Sequence, residues 1–129
     1  MIKFVIKGKK NPQKKTETKY YAQAAAATPI TLPQIVKMIE KRSTVSSSDI
    51  KAVLDALQFE IIQALQNGNS VRLGDLGSFH ITINSTGLPS EEAAKKNGAK
   101  LIKKVSVQFV KSAEMGRAFD LSELTFMQQ

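Results

Sequence analysis

The side chains able to do chemistry in this chain are mostly ammonium groups. Lys95, Lys96, Lys100, Lys103, Lys104 and Lys111 crowd one stretch, with Arg72 and Arg117 on either side, and Lys9, Lys10, Lys14 and Lys15 form a second group near the N-terminus. Lysine is a compact, strongly hydrated point charge that suits phosphate contact, whereas base-edge and narrow-groove readout lean on arginine. The formal net charge of +8 is unevenly spread. Residues 1–33 set Lys3, Lys7, Lys9, Lys10, Lys14, Lys15 and Lys19 against Glu17, a balance of +6; residues 34–68 balance at zero, and the remainder carries +2. Such polarity suggests an electrostatic partner on one surface, most commonly nucleic acid. A lysine-rich terminus also keeps many proteins soluble, and for any single lysine a solvated surface charge is the plainer account.

Enzymatic constellations are lacking. His80 is the only histidine and sits in a strand pattern opposite Phe79 and Ile81, which predicts a solvent-facing side chain. There is no cysteine, hence no disulfide framework and no thiolate nucleophile or metal ligand, and no histidine–carboxylate spacing suits a metal. Neither Gly8-Lys9-Lys10 nor Leu73-Gly74-Asp75-Leu76-Gly77 has the phosphate-loop pattern. No enzyme, cofactor, metal or small-molecule substrate is expected. The N-terminus alternates Ile2, Phe4 and Ile6 with Lys3, Val5 and Lys7, unlike a signal peptide, and no apolar run reaches membrane-spanning length, so the expected location is cytosolic.

The elements that must position these charges are legible in turn. The leader predicts two strands, Lys3 to Lys7 and around Lys19 to Gln23, joined by a polar loop containing Asn11-Pro12. A floppy basic tail over Gly8 to Thr18 is the plainer alternative. Thr31, with Gln34 three residues on and Pro33 in the first turn, starts a helix whose apolar stripe is Leu32, Ile35, Val36 and Ile39. Ser46 starts a second, with Asp49 in its first turn and Ile50, Val53, Leu54, Leu57, Ile61 and Leu65 running to the terminator Gly68. On that helix Phe59 projects nearly opposite the main stripe and Ile62 well to one side, so one face cannot bury them all. A homodimer follows, in which the helix packs on its own chain and on a partner. A helix-turn-helix reading is weak, because Ser46-Ser47-Ser48-Asp49 offers no Arg, Asn or Gln to base edges.

After Gly68 comes a strand, a glycine-rich turn and a second strand: Val71-Arg72-Leu73-Gly74-Asp75-Leu76-Gly77-Ser78-Phe79, with Ile81 and Ile83 continuing the period of two. Following a helix pair, this segment resembles the V-x-L-x-G-F-G-[ST]-F signature of the HU/IHF family of bacterial nucleoid proteins. Val71, Leu73, Gly77, Ser78 and Phe79 match, while Asp75 and Leu76 replace the usual Gly and Phe. The resemblance runs from Thr31 to Asp120 and takes in Phe109-Val110-Lys111 and Met115 to Phe119. The leader is similar to that of the extended HU variants of Bacteroides-type bacteria, in which an N-P and a Y-Y-A recur as Asn11-Pro12 and Tyr20-Tyr21-Ala22 do here.

The resemblance implies an α+β fold, with a helix pair, a three-stranded antiparallel sheet carrying an arm, a short C-terminal helix and extra N-terminal strands. It also implies an intertwined homodimer, with Leu57, Phe59, Ile62, Phe79 and Phe109 at the interface, and binding of duplex DNA in the nucleoid. The corresponding domain plan is a basic strand-forming extension over 1–30, an HU/IHF-like domain over 31–120 with its arm at 84–104, and a tail over 121–129. In HU-type proteins the arm is an arginine-rich ribbon that wraps the minor groove with a proline wedge at its tip. Here residues 84–104 contain no arginine, and Leu32, Ala113 and Gly116 stand where the family carries other basic residues. Leu88 and Pro89 are the wedge candidates. Ser90 to Gly98 instead spells a complete helix message, with Ser90 as cap, Glu91 and Glu92 first, Lys95 and Lys96 last and Asn97-Gly98 as stop.

The function these features imply is architectural: duplex DNA held through phosphates with low sequence specificity, and bent to organise the nucleoid. The alternative is a dimeric interaction protein that has lost the DNA grip and recruits a protein partner. RNA binding is less favoured, because beyond Tyr20-Tyr21 no aromatic and basic stacking platform is visible.

Overall fold

The computed structural model describes residues 1–14 and 16–129. The helix pair forms where its start signals place it. Helix α1 spans Leu32–Arg42, and the Gln34 side chain reaches back to accept the Thr31 N–H at 2.8 Å. Helix α2 spans Ser47–Gln66; the Ser46 hydroxyl accepts the Asp49 N–H at 3.3 Å, and the chain leaves the helix through Gly68 at φ 83°. That left-handed angle carries a steric cost for residues with a Cβ, which explains the glycine. The two helices pack on each other and leave Val36, Ile50 and Leu65 buried.

Strand β1 (Ile2–Lys10) pairs antiparallel with β2 (Thr18–Ala24), so the leader is a hairpin. Both strands run longer than the alternation alone predicted, and Gly8 to Lys10 are ordered strand, not tail. Past the helices, β3 (Val71–Arg72), β4 (Gly77–Ser85) and β5 (Ile102–Lys111) make the three-stranded antiparallel sheet in the order β3-β4-β5. The glycine turn between β3 and β4 closes with Leu73 N–H donating to Gly77 O at 2.8 Å. Gly74 and Gly77 there take φ 54° and 151°. Ser112 ties the far end of β5 to the same turn, donating its N–H to Leu76 O at 3.0 Å and its hydroxyl to Asp75 O. It then accepts the Met115 N–H at 3.0 Å as cap of helix α4 (Ala113–Ala118).

The arm is not a plain ribbon. Helix α3 (Glu91–Asn97) sits in it, with Ser90 Oγ accepting the Ala93 N–H at 3.2 Å and Gly98 at φ 53° ending it. A 3-10 turn, Gly98–Leu101, leads back into β5, and Thr86 N–H donates to Leu101 O at 3.0 Å across the root of the insert.

After α4, the Asp120 carboxylate accepts both the N–H and the hydroxyl of Ser122 at 3.1 Å, which holds it below the usual carboxylate range and caps a 3-10 turn at Leu121–Glu123. The chain then forms β6 (Phe126–Gln128), which pairs parallel with Ile2–Phe4. The leader hairpin is thereby a three-stranded sheet, β2-β1-β6, built from both chain ends.

Among the described residues, Val36, Ile50 and Leu65 are the only buried large apolar side chains. The rest of the apolar surface is partly or fully open. Phe59 is 58% exposed and Ile62 56%, as the crowded circumference of α2 required.

Candidate nucleic-acid interface

Register sorts the β3-β4-β5 sheet into two faces. Phe79, Ile81 and Ile83 pair with Phe109, Val107 and Val105, and Val71 pairs with Phe79, so one face is continuously apolar. The other carries Arg72 opposite Ser78, then His80 opposite Gln108, Thr82 opposite Ser106 and Asn84 opposite Lys104. His80 lies in this polar row, on the face opposite Phe79 and Ile81 as its strand pattern predicted, and is half-buried there.

The candidate basic residues fall into groups. Lys95 and Lys96 lie on α3, Lys100 on the 3-10 turn, and Lys103 and Lys104 at the start of β5, where the register slips between Asn84 and Ser85. The slip is a bulge that leaves Lys103 outside the pairing and bends the arm there. These five lysines share the distal end of the arm. Lys95 also pairs with Glu91 at 3.1 Å, but both are largely exposed, so the bridge leaves the ammonium available. The predicted Glu92–Lys96 partner pair does not form among the described residues. Arg72, Lys111 and Arg117 belong to the base of the sheet. Lys111 is seven residues along β5 from Lys104, about 24 Å at strand rise, and Arg117 is engaged by Glu114 on α4. Leu88 and Pro89 lie in the exposed loop between β4 and α3.

The leader candidates separate further. Pairing of Lys7 with Tyr21 and Lys9 with Lys19 puts Lys3, Lys7, Lys9, Lys19 and Tyr21 on one face of the β2-β1-β6 sheet, with Val5, Gln23 and Met127 among them. Ile2, Phe4, Ile6, Ala22, Ala24 and Phe126 occupy the other, together with Lys10 and with Tyr20, which lies against Gly8. Lys14 is in the connecting loop, and Lys15 lies outside the described residues. Lys3, Lys7 and Lys19 were missed as a group by sequence reasoning. The odd-numbered spacing of Lys3, Lys7 and Lys9 was the available signal, but Lys19 joins them only through the hairpin register. A shallow depression of about 430 Å³ opens at the hairpin end, where Lys9, Lys10, Lys19 and Tyr21 meet Asn11, Pro12 and Glu17.

The residues expected at a dimer interface lie on two elements. Leu57, Phe59 and Ile62 are exposed on α2, and Phe79 meets Phe109 on the apolar sheet face. No group of three or more metal-ligating side chains occurs among the described residues, and no helix there is long and apolar enough to cross a membrane.

Comparison with known proteins bears on this arrangement. Residues 1–125 match the family model described as an HU domain fused to a wHTH, Ig or glycine-rich motif. DNA-binding protein HU of Buchnera aphidicola subsp. Baizongia pistaciae is 38% identical over 48 residues, which are 37% of this chain and 52% of that protein. The chain thus matches about half the length of that curated relative. Among solved structures, a single-site variant of HU from Thermotoga maritima superposes with TM-score 0.53 at 15% identity, over 70% of this chain and all of that one. A Bacteroides vulgatus protein provisionally designated as DNA-binding superposes with TM-score 0.66 at 14% identity, over 98% of this chain and 47% of that one. The second superposition takes in the leader as well as the domain after it.

Proposed function

The chain belongs to the family of HU domains fused to a wHTH, Ig or glycine-rich motif, and from that premise we propose that it is a non-enzymatic architectural protein of the nucleoid that binds duplex DNA as a homodimer. The observation that carries the reading is the distal arm, where Lys95, Lys96, Lys100, Lys103 and Lys104 gather with no arginine among them. Ammonium groups on flexible stems neutralise phosphates without reading base edges. Binding is therefore driven by counterion release, and sequence enters only through how easily the duplex deforms. The homodimer is supported by the open apolar surfaces of α2 and of the β3-β4-β5 sheet, which a partner would bury.

The insert α3 changes how the arm grips. A capped helix at the end of the ribbon is wider than a two-stranded tip, so it suits a seat over the phosphates better than a path along the narrow minor groove. The same feature favours a second reading, in which the dimer holds a protein partner through α3. Gel shifts with duplex DNA, single-stranded DNA and RNA over a salt series separate the two. Duplex binding that weakens steeply with salt and little with sequence supports the architectural role. No duplex binding near 50 mM salt, where nonspecific electrostatic association is strong, leaves the partner-scaffold reading.

A further inference from the structure

We infer that the lysine-bearing face of the leader sheet is a second, separate seat for a duplex DNA backbone, so that one protein can hold two DNA segments. This rests on the DNA reading above but places contact on a different element. Strand register is the ground for it. Lys3, Lys7 and Lys9 lie on one face of β1, Lys19 stands directly opposite Lys9, and Tyr21 stands opposite Lys7. Like charges directly opposed across a strand pair repel. None of the three strands contains an aspartate or glutamate, and the one carboxylate beside them, Glu17, borders Lys9 and Lys19 at the hairpin end and leaves Lys3 and Lys7 without a counter-charge. An anion layed along the sheet supplies the missing charge.

The spacing fits a polymer better than a single anion. Lys7 and Lys9 are two residues apart, about 6.8 Å along an antiparallel strand, which is about two phosphate steps along the axis of one DNA strand. Lys3 extends the row by four more residues. Only one aromatic ring, Tyr21, is on this face, because Tyr20 is turned to the other side against Gly8. One ring cannot stack successive bases, so the face suits a duplex backbone over a single strand. The leader hairpin is braced by β6 on its far edge, which makes it a fixed platform and not a tail.

Tyr20 and Tyr21 are the only tyrosines in the chain, one on each face. Fluorine NMR of protein carrying 3-fluorotyrosine therefore gives one reporter per face, assigned with Tyr20→Phe and Tyr21→Phe. Adding a short duplex is expected to shift the Tyr21 resonance and leave Tyr20 in place. The combined variant Lys7→Gln, Lys9→Gln, Lys19→Gln should abolish that shift, while duplex binding through the arm remains detectable by fluorescence anisotropy with a flatter salt dependence. The arm variant Lys100→Gln, Lys103→Gln, Lys104→Gln should keep the Tyr21 shift. Duplex binding by anisotropy with Tyr21 unmoved, equal movement of both tyrosines, persistence of the shift in the leader variant, or the same shift with polyglutamate would each overturn the second seat and leave the arm reading standing. Absence of all duplex binding by anisotropy would overturn both.

Discussion

Phe79 and Phe109 face each other across β4 and β5 with ring centroids 5.0 Å apart and planes inclined by 52°, yet Phe109 remains 47% exposed. A tilted aromatic pair that is open on one side is half of a core. The same holds for Val105 and Val107 beyond it and for Phe59 and Ile62 on α2. Burying a Phe or Ile side chain contributes about 1.5–3 kcal/mol, so leaving this set in water forgoes much of the stability a domain of this size needs.

The chain should accordingly be a dimer at micromolar concentration, with twice the 14.1 kDa chain mass by light scattering. Phe59→Asp should dissociate or unfold it, because a lone carboxylate would then stand where an apolar partner packs. A wild-type protein that is folded and monomeric would refute the dimer.

The glycine turn sets a contrast between two substitutions. A Cβ added at Gly77, where φ is 151°, would come within 2.8 Å of the Phe109 ring and closer still to the Val110 carbonyl. At Gly74, φ is 54° and the added atom meets nothing within 4 Å. Gly74→Ala should cost about 1 kcal/mol, the left-handed penalty alone. Gly77→Ala should cost about 3 kcal/mol or more, since strain and overlap with β5 backbone add. Urea unfolding of the two variants checks the order.

The arm helix can be tested by its cap. Ser90→Ala removes the acceptor for the Ala93 N–H and should destabilise α3 by about 1 kcal/mol. Amide exchange at Ala93 and Ala94 should then quicken by about fivefold, while exchange in α2 is unchanged. Equal quickening in both helices would mean that α3 has no local stability of its own.

These elements differ in how far the chain itself announced them. Helix α1 carries its start at Thr31 and Gln34, and α2 and α3 carry both start and stop, at Ser46 and Gly68 and at Ser90 and Gly98, so local chemistry was enough. The bulge that frees Lys103 depends on how β5 meets β4 after the insert, and sequence reading had no access to it. Strand β6 is three residues long and takes its partner from the opposite end of the chain, so it has no periodicity to read. The basic residues were legible as a set, but their grouping was not. Lys9 and Lys10 are adjacent in sequence and on opposite faces of β1, while Lys9 and Lys19 are ten apart and directly opposed.

The salt dependence of duplex binding is the most direct measure of the lysine-driven grip. If a dimer neutralises about four to six phosphates through the arm, log affinity should fall with log salt at a slope of about −4 to −5. Replacing Lys100, Lys103 and Lys104 together with Gln should flatten that slope and weaken every duplex alike, because ammonium groups, here at the 3-10 turn and the start of β5, suit phosphates and not base edges. Arg72, Lys111 and Arg117 stand at the other end of the sheet, away from the arm lysines. Arg117→Gln should therefore leave the slope nearly unchanged. A slope that is flat in the wild-type protein, or that the arm substitutions do not alter, would place the contact elsewhere than the arm.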